Sequence, residues 1–235
     1  MNEFRYTQQV VIVPLLFLIL MWGGYLLQIK FDWNLTTFGI LPRTLTGLRG
    51  IIFSPFLHGG FKHLFNNSIP IAVLTASLFY FYREVAYKVL FWGALFTGIL
   101  TWLIGRESYH IGASGVIYML FSFIFFSGII RKYYRLTALS FGVIFLYGSM
   151  IWYLFPIEDK ISWEGHLSGF LVGLTQALIY KQQGPQKKAF VYRKTEFDTW
   201  FDEDGNFNPP EPEELDKDET DKSITYTFKP SPKEE

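Results

Sequence analysis

Residues 110–118, HIGASGVIY, place a serine between glycines at the start of a long run that carries no charge as far as residue 130. Gly-x-Ser-Gly occurs as a protease nucleophile motif, and it also occurs as a small-residue contact that lets two helices approach. The residues elsewhere in the chain that accompany Ser114 decide between these two roles.

Long apolar blocks dominate the 235 residues. Half of them are hydrophobic and a fifth are aromatic, including 25 Phe, and they come in runs rather than at helix or strand period. Such runs predict membrane-spanning helices. The first run is too long for the apolar part of a signal peptide, so we expect it to be retained. Because there is no Cys, no disulfide or thiolate chemistry is expected.

Six apolar segments have the length of a membrane-spanning helix. At 1.5 Å per residue, about 17–20 residues approach the ~30 Å of the hydrocarbon core. The six predicted spans cover residues 10–27, 64–82, 88–105, 114–130, 136–155 and 163–180. We therefore expect an all-α membrane protein with a six-helix domain over residues 1–181, whose candidate site lies within residues 58–166. Residues 182–235 are expected to form a polar, acidic, disordered tail.

The distribution of charge predicts the orientation of the spans. From Glu196 onward the tail holds 14 Asp and Glu but four Lys and Arg. With six spans, both termini share one side with loops 2–3 and 4–5, and that side carries eleven Lys and Arg against six opposite. Basic residues concentrate on the cytoplasmic side, so both termini are expected there. Spans two, four and six then begin at the outer face.

The unusual polar residues lie where those three spans begin. The chain has four histidines, His58, His63, His110 and His166. Ionisable groups within membrane segments are costly and commonly functional. Taken alone, however, His166 fits equally well a histidine bonded to a backbone carbonyl between helices. The GASG motif taken alone fits a packing contact.

Ser114 and His166 together favour a catalytic role. Both residues begin their helices at the same face, so they should lie at similar depth, and a nucleophilic serine needs a general base within hydrogen-bond reach. Glycines would allow the two helices to come close. These close-packing glycines are Gly112, Gly115, Gly165, Gly169 and Gly173. No acidic residue is well placed to orient the base, which predicts a dyad rather than a triad.

Further residues are candidates to assist this pair. His63 and Asn67 are four residues apart on one face at the start of span two. With the backbone N–H of Ser114, the Asn67 side chain would donate hydrogen bonds to a developing oxyanion. Tyr118, one turn after Ser114, would stack on the imidazole of His166.

The motifs resemble those of rhomboid intramembrane serine proteases. They read His58-x4-His63-x3-Asn67, Gly112-x-Ser114-Gly115-x3-Tyr118 and His166-x2-Gly169-x3-Gly173. The resemblance covers residues 10–180 and implies a six-helix bundle with a water-filled cavity open to the outer face. It also implies cleavage of single-span membrane proteins near the bilayer surface. The roles that it implies are nucleophile for Ser114, base for His166, oxyanion support for His63 and Asn67, and imidazole support for Tyr118.

The first loop departs from the family pattern. A Trp-Arg pair often precedes the His/Asn motif in rhomboid proteins, whereas this chain reads GLRG, with Arg49 but no Trp. We expect residues 28–62 to form a partly helical element at the membrane interface.

The expected function is that of an intramembrane serine endopeptidase acting through an acyl-enzyme. We expect a multi-pass protein of a bacterial inner membrane, surrounded by lipid, with single-span membrane proteins as substrates and no cofactor, metal or nucleic acid. Three alternatives remain: an inactive relative that binds membrane clients, a small transporter, and a structural assembly factor. Against the transporter, no acidic residue lies at mid-depth in a predicted span. Against the inactive relative, the chain keeps both Ser114 and His166.

The tail offers a separate, weaker signal. Residues 181–194 are basic and are expected to rest on anionic headgroups. Phe197, Trp200 and Phe201 interrupt the acidic stretch that follows. They are candidates for contact with a partner, although a solvated extension is the simpler interpretation.

Overall fold

The computed structural model describes residues 6–132, 134–147, 152–157, 161–183 and 192–209. Over these residues the chain is helical, with two isolated β-bridges and no strand. The α-helices there are α1 (Gln9–Phe31), α2 (Gly50–Phe53), α3 (Phe61–Phe81), α4 (Ala86–Ile104), α5 (Ser114–Ile130), α6 (Tyr134–Tyr147) and α7 (Trp163–Ile179). The chain divides into two compact units, Met1–Lys188 and Ala189–Glu235, and all seven helices belong to the first.

Six of these helices coincide with the six predicted apolar segments. Each begins within three residues of its predicted start, and α2 is the short additional helix. Among the described residues, α1, α3 and α4 are long and apolar enough to cross a membrane, and α5 is a shorter apolar helix. The number of spans and the side of each terminus therefore stay predictions.

Two helix ends differ from prediction. Helix α1 continues to Phe31 because the polar Gln28 and Lys30 extend it past the apolar run, and Asp32 ends it with a left-handed φ of 51°. The described part of α6 reaches Tyr147, and residues 152–154, inside the predicted fifth span, form a 3-10 turn instead of α-helix. The part of the predicted fifth span at residues 148–151 lies outside the described residues.

Helices α5 and α7 touch through their backbones. A Cβ added to Gly169 would clash with the carbonyl oxygen of Gly115, and one added to Gly173 would clash with that of Met119. Because these glycines have no side chain, the two helices approach as small-residue contacts in membranes do. The contact places the first turns of α5 and α7 side by side.

The connection between α1 and α3 is partly helical. Besides α2 it contains the 3-10 turns Leu35–Phe38, Thr46–Arg49 and Ser54–Phe56. Arg49 anchors it: the guanidinium donates to the Thr37 carbonyl at 3.0 Å and lies 4.4 Å from the centroid of the Phe38 ring. This cation–π contact fastens the loop without the Trp that the family pattern often has.

Arg131 ties together the far ends of α5 and α7. The side chain is buried, and its guanidinium donates to the carbonyl oxygens of Tyr180 and Gln183, the latter at 2.6 Å. It also lies 5.3 Å from the centroid of the Tyr82 ring, at the end of α3. A cation at helix C-termini is favoured by the helix dipoles. The contact therefore stabilises the end of the bundle opposite to Ser114.

The second unit is described over residues 192–209. It contains the 3-10 turn Phe197–Trp200, whose aromatic rings pack with those of Phe201 and Phe207. Hydrogen bonds, first of all from Thr195, lower the pKa of Asp198 to about 2. Most of the acidic segment lies outside the described residues, so its disorder stays a prediction.

Candidate active site

Ser114 and His166 are in hydrogen-bond contact. Ser114 is the first residue of α5 and His166 lies in the first turn of α7, and Oγ is 2.9 Å from Nε2. The other ring nitrogen, Nδ1, is 2.8 Å from the carbonyl oxygen of Tyr153. Because a carbonyl oxygen can only accept, Nδ1 carries the proton and Nε2 accepts from the serine hydroxyl. This is the tautomer in which an imidazole acts as a base toward serine.

A backbone carbonyl rather than a carboxylate orients the imidazole. Tyr153 lies in the 3-10 turn before α7, and its carbonyl accepts the Nδ1 proton of His166. Glu164, which is close to His166 in sequence, instead pairs with Arg106, with Oε1 and Nε 3.8 Å apart. In the described part of the chain, no carboxylate is hydrogen-bonded to this ring. His166 therefore makes the backbone-carbonyl contact that its structural interpretation expects, and it also contacts Ser114.

Tyr118 covers one face of the imidazole. Its ring is stacked on that of His166, with the centroids 4.3 Å apart and the planes 15° apart. Both side chains are buried. Stacking restricts rotation of the imidazole about its side-chain bonds, so Tyr118 helps to keep Nε2 directed at Ser114.

His63 and Asn67 lie against the backbone that leads into Ser114. A Cβ added to Gly112 would be 2.6 Å from Nε2 of His63 and 3.4 Å from Nδ2 of Asn67. Gly112 has a φ of +108°, in the region that favours glycine. Glycine at this position therefore lets the backbone pass these two polar side chains and turn into α5.

His58 is a site residue to which the sequence analysis gave no role. Its Nε2 is 3.1 Å from Nδ2 of Asn67, and its ring meets that of His63 edge-on, with the centroids 4.9 Å apart. Burial, and secondly the neighbouring His63, lowers the pKa of His58 to about 3. The ring is therefore neutral at physiological pH and accepts from the Asn67 amide. In the sequence, only the His58-x4-His63-x3-Asn67 spacing indicated that His58 lies near Asn67.

The serine and the imidazole line a cavity of about 1010 Å³. This volume is at the upper end of the range for ligand sites, roughly 300–1,000 Å³. The other polar residues in its walls are Lys62, His63, Asn66, Asn67, Arg106, Ser108, Tyr109, His110, Tyr118, Tyr153 and Ser162. Among the residues described, no three His, Asp or Glu side chains gather closely enough to hold a metal ion.

A sequence model of the Rhomboid domain matches residues 46–183, more than half of the chain. The match includes α2 to α7 and every candidate site residue. The chain belongs to the rhomboid family. Together with the three helices that are long and apolar enough to cross a membrane, this membership indicates an integral membrane protein.

Mycobacterial proteins are among the similar sequences. This rhomboid protein is 34% identical over 168 residues to an uncharacterized protein of Mycobacterium tuberculosis and, with the same figures, to one of Mycobacterium bovis. The aligned region covers 66% of this chain and 68% of each relative. An uncharacterized protein of Mycobacterium leprae is 30% identical over 164 residues, which cover 65% of this chain and 63% of the relative.

Proposed function

We propose that this rhomboid protein is an intramembrane serine endopeptidase that cleaves single-span membrane proteins. The observation that carries the proposal is the 2.9 Å contact between Ser114 Oγ and His166 Nε2, in the wall of a large polar cavity. Packing alone would need only the glycines. It would not need a serine hydroxyl aimed at an imidazole whose tautomer a carbonyl fixes.

Acylation begins with transfer of the Ser114 proton to Nε2 of His166. The Oγ atom attacks the scissile carbonyl carbon and forms a tetrahedral intermediate, while the carbonyl of Tyr153 stabilises the imidazolium through Nδ1–H. His166 then gives its proton to the leaving amine as the C–N bond breaks, which leaves an acyl-enzyme on Ser114. A water molecule, deprotonated by the same imidazole, hydrolyses the ester and restores the serine.

The developing oxyanion is stabilised by donors around Ser114. The backbone N–H of Ser114 is among the first four of α5, which have no partner within the helix, and the helix dipole favours negative charge there. Asn67 and His63, which flank Gly112, supply side-chain donors from α3. His58 accepts one hydrogen of the Asn67 amide and thereby holds its orientation.

In the membrane, six helices cross the bilayer and both termini lie in the cytoplasm. Helices α5 and α7 have 17 residues each, about 25 Å, and flanking residues complete their spans. Residues 1–181 form the membrane domain and residues 182–235 the cytoplasmic tail. The mycobacterial relatives support a bacterial inner membrane as its location.

Substrates reach the cavity from the lipid. A substrate helix enters past α6, and its outer end unwinds, because an intact helix hides its carbonyls in its own hydrogen bonds. Substrates with Gly, Pro or polar residues near the outer end of their span are therefore favoured. The cavity lies where α3, α5 and α7 begin, which the charge distribution assigns to the outer face.

A fluorophosphonate probe tests for the activated serine. In detergent, the wild type should be labelled at Ser114, and neither Ser114→Ala nor His166→Ala should be labelled. Ser127→Ala is the matched control, because it removes a buried serine from the other end of the same helix. It should react like the wild type. Absence of labelling in folded wild-type protein would instead favour an inactive relative that binds membrane clients.

A further inference from the structure

A second serine–histidine pair joins the two segments that carry Ser114 and His166. His110 lies four residues before Ser114, and Ser162 lies four residues before His166. The Nδ1 atom of His110 is 2.5 Å from Oγ of Ser162. Two Ser–His hydrogen bonds therefore link these parts of the chain: one joins the first turns of α5 and α7, and the other joins the residues just before them.

The second pair has a defined hydrogen-bond polarity. Nε2 of His110 is 3.1 Å from the carbonyl oxygen of Arg106, so Nε2 carries the proton and Nδ1 accepts from the Ser162 hydroxyl. Burial lowers the pKa of His110, which keeps the ring in the neutral form that accepts. Ser162 is also the N-cap of α7, because its Oγ accepts from the Gly165 N–H at 3.3 Å.

A charged pair between the half-buried Arg106 and the buried Glu164 strengthens the same junction. The backbone N–H of Arg106 donates to Oε1 of Glu164 at 3.2 Å, and its guanidinium lies near the same oxygen. The guanidinium also donates to the carbonyl of Ile161 at 2.6 Å, just before the α7 cap. Glu164 is only 2% exposed, so breaking this pair would leave its carboxylate buried without a cation.

The α4–α5 connection is fixed on its other side as well. His110 exchanges two backbone hydrogen bonds with Ile40, at 2.8 and 3.0 Å. The Arg43 guanidinium donates to the carbonyl of Gly105 at 2.7 Å. The connection is thus held between the first loop and the start of α7, so a shift of α7 would have to break its bonds to His110 and Arg106.

We propose that His110 and Ser162 are positioning residues, whose hydrogen bond sets the distance between Ser114 and His166. Arg106 and Glu164 hold the same junction. The inference rests on the proposed function, because it concerns the efficiency of the same serine. Misplacement of reacting groups by about 1 Å can cost ~10²-fold in rate. A link four residues away from each reacting residue is near enough to control such a displacement.

A different role for Ser162, as a nucleophile itself, makes a distinct prediction. Its hydroxyl is bonded to an imidazole, as that of Ser114 is, and it lines the same cavity. Its Oγ, however, also accepts a hydrogen bond from the Gly165 N–H. This bond occupies a lone pair of the oxygen and lowers its nucleophilicity. A fluorophosphonate probe separates the two roles, because only a nucleophile would become labelled when Ser114 is absent.

The test is the rate of fluorophosphonate labelling of Ser114 as a function of pH, with kcat and KM for a model single-span substrate. Ser162→Ala should lower the high-pH plateau of the labelling rate about tenfold or more, and lower kcat with KM little changed. Ser162→Thr keeps the hydroxyl and should restore the rate. His110→Leu removes the bond but keeps the α7 cap, so it carries the test if Ser162→Ala does not fold.

The control is Ser77→Ala, which removes a hydroxyl that bonds within α3, at the opposite end of that helix from His63. It should label at the wild-type rate. Equal labelling of wild type and of folded Ser162→Ala and His110→Leu, even with lowered melting temperatures, would overturn the positioning role and leave the proposed function intact. Labelling of Ser162 in Ser114→Ala would overturn it in favour of a second nucleophile. No labelling of the folded wild type would overturn both.

Discussion

At the scale of single residues, three contacts hold the imidazole of His166. Nε2 meets Ser114 Oγ, Nδ1–H meets the Tyr153 carbonyl, and the ring of Tyr118 lies against its face. The first two contacts define which nitrogen is basic, and the third restricts the ring. Each contact depends on a different group of the protein, so single substitutions should affect them separately.

We predict that the stacking ring of Tyr118 matters more than its hydroxyl for the imidazole. Tyr118→Leu should lower the labelling rate by about 2- to 12-fold, because a ring–ring contact contributes about 0.5–1.5 kcal/mol beyond burial. Tyr118→Phe keeps the stack and should stay closer to the wild-type rate. A larger loss in Tyr118→Phe than in Tyr118→Leu would show that the ring does not support His166.

Two adjacent asparagines give a matched pair for the oxyanion donor. Asn67 is buried and faces Gly112, whereas Asn66 is exposed on the cavity wall. Asn67→Ala should lower kcat by about 10²–10³-fold with KM little changed, the usual cost of losing one donor. Asn66→Ala should lower it only slightly. Steady-state cleavage of a model substrate measures both, and equal effects would contradict the assignment.

At this scale, the spacing of residues in the sequence predicted which side chains meet. It did not predict the contacts that the backbone makes. Ser114, Tyr118 and His166 lie together as their positions at the starts of two apolar runs predicted. The Tyr153 carbonyl that fixes the tautomer has no side-chain signature, because any residue supplies a carbonyl. The His110–Ser162 bond was missed because it joins two connections whose approach depends on the packing of α5 against α7.

At the scale of elements, the decisive contact is the backbone approach of α5 and α7. We predict that Gly169→Ala separates them, because its Cβ would clash with the carbonyl of Gly115. Such overpacking costs about 1–3 kcal/mol. Melting in detergent should occur at a lower temperature, and labelling of Ser114 should fall by about tenfold or more, since small displacements of reacting groups are costly.

The matched control is Gly23→Ala in α1, where an added Cβ meets nothing within 4 Å. It should leave labelling unchanged and raise helix stability by up to about 1 kcal/mol, because Ala favours helix over Gly. A folded Gly169→Ala protein that labels like Gly23→Ala would show that the close approach does not set the dyad geometry.

The apolar runs predicted the helices well because a helix that lies in lipid needs a long, continuous run of apolar residues. Each of the six long helices begins within three residues of its predicted first residue, and α5 begins at Ser114 as expected. The ends were harder, since polar residues such as Gln28 and Lys30 continue α1 without continuing its apolar character. The four-residue α2 and the 3-10 turns of the first connection have no periodic signal long enough to delimit them.

At the scale of the whole molecule, the orientation can be mapped because the chain has no Cys. Glu107→Cys places a thiol in the α4–α5 connection, where the native side chain is 88% exposed, and Glu84→Cys places one between α3 and α4. In intact cells a membrane-impermeant maleimide should label Glu107→Cys, and should label Glu84→Cys only after permeabilisation. The reverse pattern would contradict cytoplasmic termini.

The most direct measurement is cleavage of a single-span membrane protein in lipid vesicles that contain the purified protein, with the cut located by mass spectrometry. We predict cleavage near the outer end of the substrate span by the wild type and by Ser127→Ala, and none by Ser114→Ala or His166→Ala. Cleavage that persists at the wild-type rate in folded Ser114→Ala would contradict the assignment of Ser114 as the nucleophile. A folded, reconstituted wild type that binds the substrate without cleaving it would contradict the proposed protease function itself.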